Sequence, residues 1–464
     1  MKITLVSPPS TIEERYPKGH PLRKAIQVVE PLGLAYIAAV LEQNHFEVEI
    51  LDCIAEELTV SDLVQRIKHS NPSVVGISAV TPNIHVALKL ANEIKRVLPD
   101  ITIVLGGVHP TLFPQQILKN GGVDIVVIGE GEYTMLELSE TLDRGRELSD
   151  VLGIAYRKDG KITICPPRPL ENDLDNLPFP ARYLLPMHSY KPFIHKRYPA
   201  HALMSSRGCP FQCVFCCRDI SGRHHRLRSV GNVIEEIKVL TEEYNTKEVD
   251  FQEPIFCLNK KWTENFCQKL IEENLDIVWS AQTRVDMVDE TLLRLMKKSG
   301  CWMLYYGIEA GDQLLLDNMK KNVELSQIRK SVELTSKVGI KAWGSFMFGL
   351  PGENPDLAHK TLNFAKSLPL DFASFHLTTP FPGTELWYKS NEWGEIKTNF
   401  SKFTQLNAVF IPSGWKGRES DLQNMIGVAF KEFYFRPSYV LRQILKIRSI
   451  SDLRFYLRGL RGLI

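Results

Sequence analysis

The chain has 464 residues, 44% hydrophobic and 24% charged, enough to bury two to three cores of ordinary domain size. Its formal net charge of +2 supplies no global field for nucleic acid or for an acidic partner, so charge arguments must rest on local patches. The opening MKITLVSPPS is too short in apolar residues for a secretory leader, and the longest apolar candidate, Leu32 to Leu41, is half the ~20 residues that a membrane-spanning helix needs.

From residue 1 to 145, strand-like runs (ITLVS, VEILDC, SVVGISAVT, ITIVLGG, DIVVIGE) alternate with helical patterns (PLGLAYIAAVLE, SDLVQRIKH, HVALKLANEIKRVL, TMLELSETL). Strand, helix, strand, helix predicts a parallel sheet wrapped on both faces, a doubly wound Rossmann-like α/β domain. Such sheets hold ligands at the carboxyl ends of their strands. Ser78 and Thr81 end one predicted strand, Gly106 and Gly107 the next, and Gly129 and Glu130 a third. There is no GxGxxG, and a degenerate domain with no ligand is the plain alternative. Residues 146–199 read as a linker: a hairpin turning at Asp159-Gly160, then a stretch broken by Pro178, Pro180, Pro186 and Pro192.

A second alternating series runs from 200 to 390, with six predicted strands beginning at HALMSSR and ending at DFASFHLTTPF. Six βα units predict a partial (β/α)6 barrel of the TIM type, again with its site at the carboxyl ends. Residues 391–464 read as a small, mostly helical segment. Between Arg436 and Arg461 it carries seven Arg or Lys against one acid, Asp452, interleaved with Tyr439, Leu441 and Ile444. A basic amphipathic helix of this kind suits peripheral contact with an anionic membrane; the alternative is a helix packed on the barrel with a solvated basic face. Nucleic acid is disfavoured.

Nine cysteines occur, and four crowd between Cys209 and Cys217. An odd, clustered set argues for a metal site in a reducing cytosol rather than a disulfide framework. Cys53, Cys165, Cys257, Cys267 and Cys301 have the neighbours of small buried hydrophobes. In SSRGCPFQCVFCC, Cys209, Cys213 and Cys216 follow the first strand of the second series directly. Three thiolates around a four-iron cluster leave one iron open to chelate a small molecule. Zinc, completed by His224 or His225, is the rival reading, and Cys217 is a rival for the place of Cys216.

The CxxxCxxC spacing with Phe215 before its last cysteine resembles the signature of radical S-adenosylmethionine enzymes. WSAQTRVD, YYGIEAGDQLLLDNMKK, FMFGLPGE and TPFPGTELW extend that resemblance over 200 to 390. It implies a [4Fe-4S] cluster, S-adenosylmethionine on the open iron, a 5′-deoxyadenosyl radical, and an external one-electron reductant of flavodoxin or ferredoxin type. Carried over residue by residue, it places Arg284 toward the methionine carboxylate and Glu309 toward the methionine amine or the ribose, the alternative being surface ion pairs. It also brings the backbone from Gly344 to Glu353 near adenosine. Relatives often carry an acidic pair after the second strand; here Gln252 and Glu253 stand there, a departure.

With this domain order, PLGLAYIAAVLE, VVGISAVT, VLGGVHPT and VVIGEGE resemble the cobalamin-binding half of cobalamin-dependent members of the same family. The chain lacks the DxHxxG that gives cobalt a lower imidazole, which implies base-off cobalamin, with His109 the one histidine nearby. The resemblance implies methylation of an unactivated carbon of a small-molecule or lipid substrate. A non-methylating cyclisation is the runner-up, and a non-catalytic iron–sulfur or corrinoid sensor the third reading.

Overall fold

The computed structural model describes residues 1–8, 29–119, 121–192 and 194–446. The chain forms two compact units. Among the described residues, the first holds 1–8, 29–119, 121–191 and Cys217–Leu227; the second holds Pro192, 194–216 and 228–446.

In the first unit, β1 (Lys2–Ser7), β2 (Glu47–Asp52), β3 (Val74–Ser78), β4 (Thr102–Gly106) and β5 (Ile125–Val127) are parallel, in the order β2-β1-β3-β4-β5. The order reverses between β1 and β3, which places a ligand crevice at their carboxyl ends. One sheet face packs α1 (Leu32–Gln43) and α2 (Glu132–Asp143) through Leu34, Ala35, Ala38, Met135 and Leu138. The predicted hairpin forms as β6 (Ile154–Lys158) and β7 (Lys161–Ile164), and it pairs antiparallel onto β5 as the sheet's edge. What reads as part of a linker therefore extends the first core, because Ile154, Tyr156 and Cys165 have apolar partners there.

In the second unit, six parallel strands run in the order β13-β12-β11-β10-β9-β8: β8 (Ala200–Leu203), β9 (Glu248–Phe251), β10 (Val278–Thr283), β11 (Cys301–Glu309), β12 (Lys341–Phe348) and β13 (Phe372–Leu377). The predicted partial barrel is present. On its outer side, Phe251 and Trp279 meet Phe256, Trp262 and Phe266 in an aromatic layer, with Phe251 edge-on to Phe266 at 5.4 Å. Edge strand β13 is closed by helix α3 (Glu419–Tyr434): the Tyr434 hydroxyl donates to the Ala373 carbonyl at 2.7 Å and accepts from the Ala373 N–H at 2.9 Å. This blunts an otherwise open edge.

The C-terminal segment is less helical than its composition suggests, since Gly394–Ile396 and Phe410–Pro412 pair antiparallel before α3 begins. The described part of the basic tail is helix α4 (Pro437–Lys446). Arg436 lies 4.1 Å from the Phe433 ring and Arg442 donates to the Leu370 carbonyl, while Val440, Leu441 and Ile444 face outward. The arginines pack because their long stems and flat heads cover aromatic surface well. Arg448 to Arg461 lie outside the described residues. Among the described residues no helix is long and apolar enough to cross a membrane.

Candidate functional site

In the second unit, the cysteine loop leaves β8 through Ser205, Ser206 and Gly208, the last at φ 86°. Its middle is pinned on both sides: the Val214 N–H donates to the Met319 carbonyl at 3.1 Å, and the Val214 carbonyl accepts from the Leu386 N–H at 2.9 Å. The Cys216 N–H turns back to the Cys213 carbonyl at 3.1 Å. Cys213 is buried, Cys209 half-buried and Cys216 exposed, and all three are free thiols. Burial pushes the Cys213 thiol up, against the pull of Lys321 and Arg284. Cys209 adds to the effect on Cys213, and thiols set this close are a donor set that a polycation relieves. Among the described residues no three His, Cys, Asp or Glu side chains gather around a single-ion position, His224 and His225 included.

Arg284 and Glu309 are both buried, so neither makes a surface ion pair. Arg284 forks onto Asp286, with Nε to Oδ1 at 2.9 Å and Nη2 to Oδ2 at 3.0 Å, and lies 3.8 Å from the ring of Phe211 in the cysteine loop. Glu309 ends β11 at a bulge, with φ 69°, and pairs with the Lys321 Nζ at 2.8 Å. Gly307 makes room for this pair: a Cβ there would stand 2.5 Å from Glu309 Oε1 and 3.0 Å from Lys321 Nζ. Lys321 is the residue that the sequence reading missed. Burial disfavours its charge, yet Glu309 and Cys213 outweigh that and hold the ammonium above its ordinary value. Phe215 lies 6.0 Å from the same Nζ. The signal was the second lysine of DNMKK, inside a stretch already singled out.

Glu253 is buried and accepts from both the hydroxyl and the N–H of Ser205, the residue that opens the cysteine loop. Burial pushes its carboxyl up to about 7. Gly344 sits mid-strand, and a Cβ there would meet Ile308, Leu370 and Phe346 at 2.9 to 3.0 Å, so core packing already accounts for the glycine.

In the first unit, the carboxyl edge collects Ser78, Thr81, Gly106, Gly107, His109, Gly129 and Glu130. Gly107 adopts φ 106°, and a Cβ there would stand 2.5 Å from the Ala79 carbonyl oxygen. Gly107→Ala is therefore expected to destabilise the first unit by about 2 kcal/mol or more, since both conformation and space oppose the methyl; a lowered thermal transition checks this. Gly129, at φ 84°, has nothing within 4 Å of its missing Cβ, and its N–H donates to Thr111 Oγ1 at 3.0 Å. His109 is buried, lies 3.2 Å from Thr81 Oγ1 through Nδ1, and packs on Phe113; burial lowers its pKa to about 4, which keeps the imidazole neutral. The Glu130 carboxylate is held by both terminal nitrogens of Arg226, at 3.0 and 2.6 Å, and that guanidinium also donates to the Glu171 and Ser221 carbonyls.

Two family models match the chain: a B12 binding domain over residues 22–139 and the radical SAM superfamily over 203–365. An uncharacterized methyltransferase of Pyrococcus horikoshii is 36% identical, covering 100% of this chain and 98% of that one. The anaerobic magnesium-protoporphyrin IX monomethyl ester cyclase of Rubrivivax gelatinosus is 30% identical over 92% of this chain and 77% of its own length. The fold is similar to that of the radical S-adenosylmethionine methyltransferase TsrM from Kitasatospora setae, solved with cobalamin and a [4Fe-4S] cluster, at TM-score 0.72 and 17% identity over 94% of this chain and 89% of that one. With both domains matched in order and a relative alike from end to end, the chain belongs to the cobalamin-dependent radical S-adenosylmethionine enzymes.

Proposed function

We propose that the chain methylates an unactivated carbon of a small-molecule or lipid substrate, with Cys209, Cys213 and Cys216 as the thiolate ligands of a [4Fe-4S] cluster. When bound, the cluster with S-adenosylmethionine supplies a hydrogen-abstracting carbon radical, and cobalamin supplies the methyl group. The observation that carries this reading is the full-length 36% identity to a methyltransferase, in a chain that matches both a B12-binding and a radical SAM domain.

The chain's own residues then have separable tasks. Arg284 and Lys321 set two positive charges beside the thiolates and serve the methionine carboxylate. Glu309 serves the amine or the ribose, Glu253 orders the start of the cysteine loop through Ser205, and Phe215 and the Gly344 strand wall the S-adenosylmethionine site. Gly129 leaves the first unit's edge open for the corrin, flanked by Ser78, Thr81, Gly106 and Gly107. In this proposal His109 is a neutral packing group that orients Thr81 rather than a cobalt ligand, and Glu130 braces the edge through Arg226. Electrons come from an external flavodoxin- or ferredoxin-type donor.

Anaerobic incubation of the reconstituted enzyme with S-adenosylmethionine, reductant and extracts as the substrate source tests the reading. Deoxyadenosine together with S-adenosylhomocysteine supports methylation. Deoxyadenosine alone favours a cyclase-type reaction, the second reading, for which the 30% identity to a cyclase speaks. Neither product would leave the sensor.

The outward Val440, Leu441 and Ile444, with Phe435, support peripheral contact with a lipid surface. Flotation with anionic vesicles is expected to fall when Leu441 and Ile444 are both replaced by Asp; unchanged flotation, or none in the parent protein, removes this part of the proposal.

A further inference from the structure

Along the barrel strands, side chains alternate between two environments. On the helix side they are fully buried, as for Phe251, Trp279, Tyr306, Ala342 and Phe375. On the concave side Asp250, Tyr305, Trp343, Ser345 and Ser374 are only half-buried. A closed TIM-type barrel fills its interior with side chains, so partial exposure on this face marks unfilled space. The floor is apolar, built from Met303, Phe372 and Trp302.

Above that floor a polar and aromatic band crosses five strands. Asp250 accepts from Ser280 Oγ at 2.7 Å on one carboxylate oxygen and from Gln252 Nε2 at 2.7 Å on the other. The Tyr305 ring lies 5.2 Å from that of Trp343, whose Nε1 donates to Ser374 Oγ at 3.1 Å. Three neighbouring charged groups have ionic or saturating partners: Arg284 with Asp286, Glu309 with Lys321, and Glu248 with the Lys196 and Arg197 N–H groups and Trp302 Nε1. Asp250 makes no ion pair among the described residues, although a carboxylate can accept about four hydrogen bonds. A carboxylate with no ionic partner near the Tyr305 ring is complementary to a cation.

We propose that this band is the substrate-recognition site, and that it takes a positively charged, hydrogen-bond-donating nitrogen of the substrate, an ammonium or guanidinium seated on Asp250 against Tyr305. The inference rests on the reading of the barrel as the catalytic half, and it narrows the substrate to a nitrogenous cation. Benzylammonium and its neutral analogue benzyl alcohol probe it, by saturation-transfer NMR on the anaerobically reconstituted full-length protein without reductant. The expected result is binding of the cation at least about tenfold tighter than of the alcohol, with that preference lost in Asp250→Asn. Equal binding of the two probes by the parent protein overturns the proposal, and that comparison needs no variant. A preference that persists in a folded Asp250→Asn also overturns it, by placing the cation elsewhere. Cation preference without deoxyadenosine formation under reductant would count against the proposed function alone; deoxyadenosine formation without cation preference would count against this inference alone.

Discussion

Cys213→Ala is expected to abolish deoxyadenosine formation, by more than about a thousandfold, equivalent to ~4 kcal/mol of barrier. Cys213 is the buried member of the trio and its backbone carbonyl anchors the turn to Cys216, so its thiolate is the one least replaceable by water. Iron and sulfide analysis of anaerobically reconstituted protein, with the cluster's electronic absorption, checks the cause. Cys217→Ala is expected to keep full iron, since Cys217 stands outside the CxxxCxxC spacing and groups with the first unit rather than with the cysteine loop. Iron lost from the Cys217 variant but kept in a Cys216 variant would exchange the roles of these neighbours.

Lys321→Met is expected to cost about 3–5 kcal/mol of stability, the usual effect of stripping a buried ion pair of one partner. Lys321 and Glu309 side chains are 6% and 9% exposed, so water cannot compensate the carboxylate that remains. Adding Glu309→Gln should recover much of the loss, because the double variant removes the stranded charge. Thermal unfolding reads the first effect. A raised KM for S-adenosylmethionine in the double variant, with melting near the parent's, reads the second and separates positioning from structure. Additive losses in the double variant would show that the two groups do not act as a pair.

Much of the architecture is legible because it follows from periodicity. Helical and strand patterns alternate cleanly from β1 to β5 and from β8 to β13, and parallel pairing is the arrangement that such alternation allows. The hairpin's attachment was less visible, since a turn signal at Asp159-Gly160 states that two strands pair and says nothing about which edge receives them. Within the site, the cysteine spacing is a local pattern and readable as such. Lys321 is not, because its partner Glu309 lies beyond an intervening helix and only the fold closes that gap. Glu130 shows the same limit: it lies at the sheet's carboxyl edge, and its partner Arg226 stands 96 residues away. Asp250 escaped notice as one of two acids in a four-residue strand, where side-chain alternation alone decides that it faces inward.

The chain's path between its two units sets how the protein can be dissected. Cys217–Leu227 belongs to the first unit, locked there by Arg226, although it comes after the cysteine loop of the second. A fragment ending near Lys191 would lack that segment and leave Glu130 without its guanidinium, and a fragment starting near Pro192 would carry the segment without its host. Splitting the polypeptide at the proline-rich stretch should therefore yield two poorly soluble halves, and co-expression of both pieces, rather than either alone, is the route to a working reassembly.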